Sequence, residues 1–447
     1  MPYEGEFAGY RPLRRITETE RVQQLLRRAR VFQPSGTVSP VEPEPAPAPP
    51  SSVPEFTVAI DGSYAEVDVR TGYPGAKVGY STVASVLVNM RQVDRLDEDR
   101  PADPVEFRKT EEAATIDAAL PGTNVITRSH GSARDSFRES VFDVLHDVIV
   151  DEEDRSPLLD TYEALLAHKP ATRQQVCPYS HDGCIEHLNV PAGVSVCVCG
   201  LKRPIYSTDA LRVHERFADF GTNGEAFGLV TEIWARVLMV HLLRCFERKQ
   251  WLDRVQRLAF FLDGPLAVFG PPAWLSAAIS VELKRLNKLV REKTGSDLII
   301  LGVEKSGTFV THFDEIDKKE SNEPNFPTRT FMLLTDRYIK ERIIFSDSRK
   351  RYGEDTYFGR KFFYKTANGA RIVASLPFLT EAQDNIETAD IALYPQFGTA
   401  CALLDKLVTS RYRNALSPLV SAHAQAAIPL HLGAKVLQQL ARALMQS

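Results

Sequence analysis

Two apolar runs in this chain end in the same way. The run "TVAID" closes on Asp61, followed by Gly62 and Ser63, and "LAFFLD" closes on Asp263, followed by Gly264 and Pro265. Short runs rich in Val, Ile, Leu and Phe between turn residues are interior strands. A carboxylate at the end of such a strand is costly unless something pairs with it. The chain is therefore constrained to build a sheet whose interior strands end in acids, and two such ends can meet at one edge. Asp-Gly also makes turns, and Asp also caps the next element. That bland reading is preferred for either aspartate alone; for the pair, both readings stand.

The remaining sequence divides around these runs. Residues 1–33 hold a basic helical segment, "ETERVQQLLRRARVF", and 34–54 are a Pro-rich stretch that reads as an extended, mobile linker. The folded body is expected over 55–447. Its first strand is predicted to end at Asp61 and a second to cover Tyr64 to Arg70. The turn "TGYPGA" and a third strand, "KVGYSTVASVLVNM", come next. "SARDSFRESVFDVLHDVIVDEE" has helical spacing of its apolar residues. Glu225 to Arg248 reads as one long buried helix. "PPAWLSAAISVELKRLNKLVREKTG" is an amphipathic helix with prolines at its start and Gly295 at its end, followed by the strand "DLIILGVEKSG". "RTFMLLTDRYIKERIIF" and "KFFYKTANGARIVASLPF" supply further helix and strand elements, and a helical tail runs from Gly398 to Ser447. The fold class is α/β, a mixed sheet flanked by helices.

Composition excludes some classes. With 447 residues, 43% hydrophobic, 25% charged and a net charge of −4, the chain is an ordinary globular protein and no polycation. A local basic groove for nucleic acid is still allowed. The best apolar run, Ile233 to Leu243, is broken by Arg236 and His241, so no membrane span is expected. The first residues lack an apolar signal core, and the six cysteines form no disulfide framework. A cytoplasmic location is the expectation.

The carboxylates suggest hard divalent cations, which take several oxygen ligands. A third acid is needed from a helix beside the strands. Glu232, set among Leu229, Val230, Ile233 and Trp234, is the candidate, with Glu225 and then Glu247 behind it. The simpler reading of Glu232 is an ion pair with Arg236 at i+4.

Taken in order, "VAIDGS", "FFLDGPL", "LGVEKSG" and "ALYPQFG" with "LSPLVSAHAQA" resemble the NurA nuclease family over roughly Glu55 to the C-terminus. The resemblance implies an RNase H-like core, a manganese- or magnesium-dependent DNA exonuclease using two metal ions, and a homodimer. It also implies a HerA-like hexameric ATPase as partner. On these motifs Asp61 and Asp263 match the strand aspartates, Glu232 the helix glutamate and His423 the C-terminal histidine, a metal ligand or proton donor. His431 is the alternative, and a packed helix histidine is the plain reading of either. Lys305, after the third strand, could meet a phosphate oxygen or merely be a solvated lysine. Asp336 and Tyr338 could border the cleft. The chain has no G-x-x-x-x-G-K-[ST] motif, which fits a nuclease driven by a motor on another chain.

Cys177, Cys184, Cys197 and Cys199 crowd into one insert, at about 170–220, and fit a structural tetrahedral Zn²⁺ site. The first spacing is loose, so His181 could replace Cys177 or Cys184. Unliganded thiols are the alternative. Two other functions compete with the nuclease. One is a catalytically inactive nuclease fold that docks a hexameric ATPase, with Arg21 to Arg30 as a contact; the other is a zinc-dependent nucleic-acid module, which leaves most of the chain without a role.

Overall fold

The computed structural model describes residues 10–30, 42–70, 74–93, 111–129, 131–171, 174–199, 202–318, 325–409, 414–428 and 436–439. A nine-stranded mixed sheet organises it, in the order β1-β11-β12-β13-β10-β9-β2-β3-β4. The strands are β1 (Glu44–Pro45), β2 (Phe56–Arg70), β3 (Ala76–Asn89), β4 (Glu111–Pro121), β9 (Leu258–Asp263), β10 (Ile300–Glu304), β11 (Thr330–Leu333), β12 (Gly359–Lys365) and β13 (Arg371–Pro377). Strand β9 runs parallel to both β2 and β10, and the other pairings are antiparallel. Strands β5 (Gln175–Val176), β6 (His187–Leu188), β7 (Val194–Val196) and β8 (Pro204–Tyr206) form two small hairpin-like pairs in the cysteine-bearing insert.

Helices cover both faces of the sheet. Numbered in chain order, the main ones are α1 (Tyr10–Glu18), α2 (Glu20–Arg28), α3 (Ala133–Asp147), α4 (Leu158–Leu166), α5 (Gly224–Arg248), α6 (Trp274–Thr294), α7 (Thr308–Ile316), α8 (Phe397–Leu407) and α9 (Ser417–Ala426). On one face Ile60, Phe260 and Leu262 pack with Val230, Ile233 and Trp234 of α5 and with Leu275 and Leu283 of α6. On the other, Ala59, Phe261 and Phe362 pack with Leu404 of α8 and with Leu419 and Ala422 of α9. The strands alternate their side chains between these two cores, as period-two geometry requires.

Three expectations need correction. The first two strands are one, because β2 continues through Gly62 without a turn. Gly62 is there for closeness, since a Cβ on it would lie 2.7 Å from the Thr231 methyl of α5. The Pro-rich stretch is not wholly a free tether: Glu44 and Pro45 pair with Phe331 and Thr330 at the sheet margin, where a missing N–H costs least. Helix α5 is long and apolar enough to cross a membrane, contrary to the sequence expectation, but 78% of its most apolar stretch is buried inside the fold. It is the core helix against which the sheet is built.

Candidate metal-binding cleft

The parallel register decides the geometry. Ile60 pairs with Leu262, and Val303 pairs with Asp263. Asp61 and Asp263 are therefore next-door neighbours, at the level where β9 ends and β2 runs on past it. Each stands two residues after a side chain of the α9-side core, Ala59 and Phe261, so both carboxylates face that side. Lys305 follows β10 and reaches both: its Nζ is 2.9 Å from Asp263 Oδ1 and 3.7 Å from Asp61 Oδ2. Helix α9 crosses the same face and sets His423 Nδ1 2.9 Å from Asp61 Oδ2. The backbone N–H of Gly62 donates to Asp61 Oδ1 at 2.7 Å.

Asp61 is buried, at 4% exposure, whereas the Asp263 side chain is 29% exposed. Burial and then the neighbouring Asp263 push the Asp61 carboxyl above the usual carboxylate range, against the pull of Lys305, the Gly62 N–H and His423. One ammonium thus faces two carboxylates. The donor set is all oxygen, which suits a hard divalent cation. The Lys305 ammonium, held between the two carboxylates, already marks a place where a cation is favoured.

Glu232 sits differently. It comes from α5, on the opposite face of the sheet, and is exposed. It does not form the expected i+4 ion pair, because Arg236 Nη1 turns to the Glu232 carbonyl at 3.5 Å. Arg236 Nη2 points to the carbonyls of Asp263 and Pro265, at 3.5 and 3.4 Å. The Arg236 guanidinium is buried under the Asp263 turn, and its Nε has no partner. Burial lowers its pKa; Glu232, Asp263 and Asp61, in that order, oppose the shift. Sequence reading missed this central role, although an arginine on an apolar helix was a visible signal.

The other candidates have separate partners. Glu225 pairs with Arg216 at 3.3 Å, and Glu247 with Arg285 at 2.6 Å. Asp336 pairs with Lys340 at 2.7 Å, and Tyr338 meets His312 at 2.9 Å. His431 lies outside the described residues.

In the insert, the Sγ atoms of Cys177, Cys184 and Cys197 lie within 4.8 Å of one another. Cys197 Sγ is 3.3 Å from Cys177 Sγ and 3.8 Å from Cys184 Sγ. The Cys199 thiol lies alongside Cys184 and Cys197, and its N–H donates to Cys197 Sγ at 3.4 Å. His181 turns away, with Nδ1 3.0 Å from the Pro178 carbonyl, so the cluster is thiol only. Burial raises the Cys177 and Cys197 thiols, while a backbone hydrogen bond from Glu186 lowers Cys184. Three mutually close buried sulfurs with a fourth beside them form a soft donor set that suits zinc.

Comparison with known proteins adds the lineage. No curated protein matches the chain. Among solved structures, the NurA nuclease from Sulfolobus solfataricus is similar at 10% identity and a TM-score of 0.31, over 98% of this chain and 93% of that one. A second NurA crystal structure is similar at 11% identity and a TM-score of 0.28, over 97% and 95%. The NurA domain family matches residues 200–428, which contain Asp263, Lys305 and His423 and amount to just over half of the chain. By that match the chain belongs to the NurA domain family.

Proposed function

We propose that this protein is a metal-dependent deoxyribonuclease, an exonuclease that hydrolyses phosphodiester bonds at the cleft of Asp61 and Asp263. The single observation that carries the reading is the convergence of Asp61, Asp263, Lys305 and His423 from four separate elements. Family membership supports the reaction class. Asp61 and Asp263 would hold Mn²⁺ or Mg²⁺, with Glu232 left exposed on the far side of the sheet. A two-ion site supplies activation of water and charge stabilisation at the leaving oxygen.

The chain's own groups supply the rest. Lys305, with 34% of its side chain exposed, can release the aspartates and turn to a phosphate oxygen of the DNA. His423 is 61% exposed and bonded through Nδ1 to Asp61, leaving Nε2 to face the substrate and carry a proton to or from it. Arg236 steadies the Asp263 turn from below. The thiol cluster would hold a structural Zn²⁺. The core is best described as RNase H-like, for its acids lie side by side on adjacent parallel strands. A homodimer working with a HerA-like hexameric ATPase in DNA end processing or defence is the setting that family membership favours. The free cysteines suit a reducing, cytoplasmic compartment.

A second reading has its own support. Lys305 already occupies the space between the aspartates and Glu232 lies exposed, as in a silent nuclease fold that only docks the ATPase. End-labelled DNA incubated with the protein and added Mn²⁺ or Mg²⁺ separates the two. Cleavage by the wild type that disappears in Asp61→Ala establishes the enzyme; ATPase binding without cleavage establishes the adaptor.

A further inference from the structure

Far from the acidic cleft, α5 carries His241 and Cys245 one helical turn apart on the same side. The loop after α3 brings Asp154 to them. A carboxylate oxygen of Asp154, the sulfur of Cys245 and a ring nitrogen of His241 all lie within 4.8 Å of one another. His241 is 0% exposed and Cys245 4%. His241 Nδ1 is 2.9 Å from Thr161 Oγ1, and Nε2 is left buried with no partner. Such an orphan is costly unless a ligand satisfies it. One nitrogen, one sulfur and one carboxylate oxygen form the donor set of a borderline-soft divalent ion. We propose that His241, Cys245 and Asp154 form a second zinc-class site, distinct from the insert's cysteines and from the cleft.

Arg248 shows how this site is balanced without an ion. Its Nε is 2.8 Å from Asp154 Oδ1, its Nη2 2.6 Å from Asp154 Oδ2, and the same Nη2 3.3 Å from Cys245 Sγ. Ser156 also donates to Asp154 Oδ2. Binding forms the sulfur–metal bond and releases the thiol proton to solvent, and the dication takes over the charge role of the guanidinium. Arg248 is 29% exposed and can turn outward to water. Thr161 fixes the imidazole, as an outer partner does for a ligating histidine. The bound ion would tie the loop carrying Asp154 to the end of α5, where Lys249 already pairs with Asp151 at 2.8 Å.

Zinc content of the full chain, read by native mass spectrometry after chelator stripping and titration with zinc alone, tests this. Cys245→Ser and His241→Gln should each hold one zinc fewer than the wild type. Cys184→Ser should leave this ion in place, whatever the cysteine cluster does. Arg248→Gln should bind it more tightly, on the order of tenfold, because a competing cation is gone. Cadmium-substituted wild type should also give an NMR resonance from a site with one thiolate, a readout that needs no variant to fold. Equal zinc content in the wild type, Cys245→Ser and His241→Gln, or no single-thiolate resonance, overturns the proposal.

Discussion

His423 Nδ1 lies 2.9 Å from Asp61 Oδ2 although 362 positions separate the two residues. The contact joins the long strand β2 to helix α9. An imidazole held this way presents its other nitrogen to whatever occupies the cleft. Replacing His423 with Ala should lower cleavage by about 10²–10⁴-fold, the range for a positioned proton-transfer group. Thermal stability should barely move, because the side chain is mostly exposed. Single-turnover cleavage together with a melting curve checks both halves.

The aspartates should behave as a unit. Asp61→Ala and Asp263→Ala are each expected to lose at least about 10²-fold in metal-dependent cleavage, since outer partners of metal ligands alone are worth 10–100-fold. The double variant should be little worse than either single one. A rate assay across Mn²⁺ concentrations measures this, and independent, multiplying losses would contradict a shared site.

Asp61 also predicts a cost to stability. Its carboxyl is raised by burial and by Asp263, so the folded state favours the protonated form. The stability this group contributes is fully present below its unfolded pKa and is lost as pH rises through the folded value. Without divalent ions, Asp61→Asn should therefore melt at a higher temperature than the wild type at neutral pH. The advantage should fade in acid. Mn²⁺ should stabilise the wild type and leave the variant unmoved.

Gly62 predicts a steric effect. A Cβ there would meet the Thr231 methyl at 2.7 Å, so Gly62→Ala should destabilise by roughly 1–3 kcal/mol. Adding Thr231→Ser, which removes that methyl, should recover most of the loss. Denaturant melts of the two single variants and the pair give the coupling.

Some of this was written plainly in the sequence. Asp61 and Asp263 could be found because each ends an apolar run beside a glycine, and the thiol cluster because its cysteines crowd into one insert. The register that sets the aspartates side by side was not visible, because pairing between strands separated by the whole insert leaves no local mark. Glu232 shows a different limit. Apolar neighbours argued that it was buried, yet the helix turns it outward and buries Arg236 instead. Gly62 looked like a turn because a strand glycine and a turn glycine read alike, and only the approach of Thr231 tells them apart. Asp154 could not be joined to Cys245, 91 positions away, although the His241 and Cys245 spacing on one helix was a readable hint.

Helix α9 gives synthesis a direction. Both aspartates leave the ribosome well before Ser417, which opens the helix whose histidine completes their cluster. A nascent or truncated polypeptide that stops short of this helix has its acids in place without their imidazole. If the proposed function holds, a chain that lacks this helix should cleave DNA no faster than the His423→Ala variant.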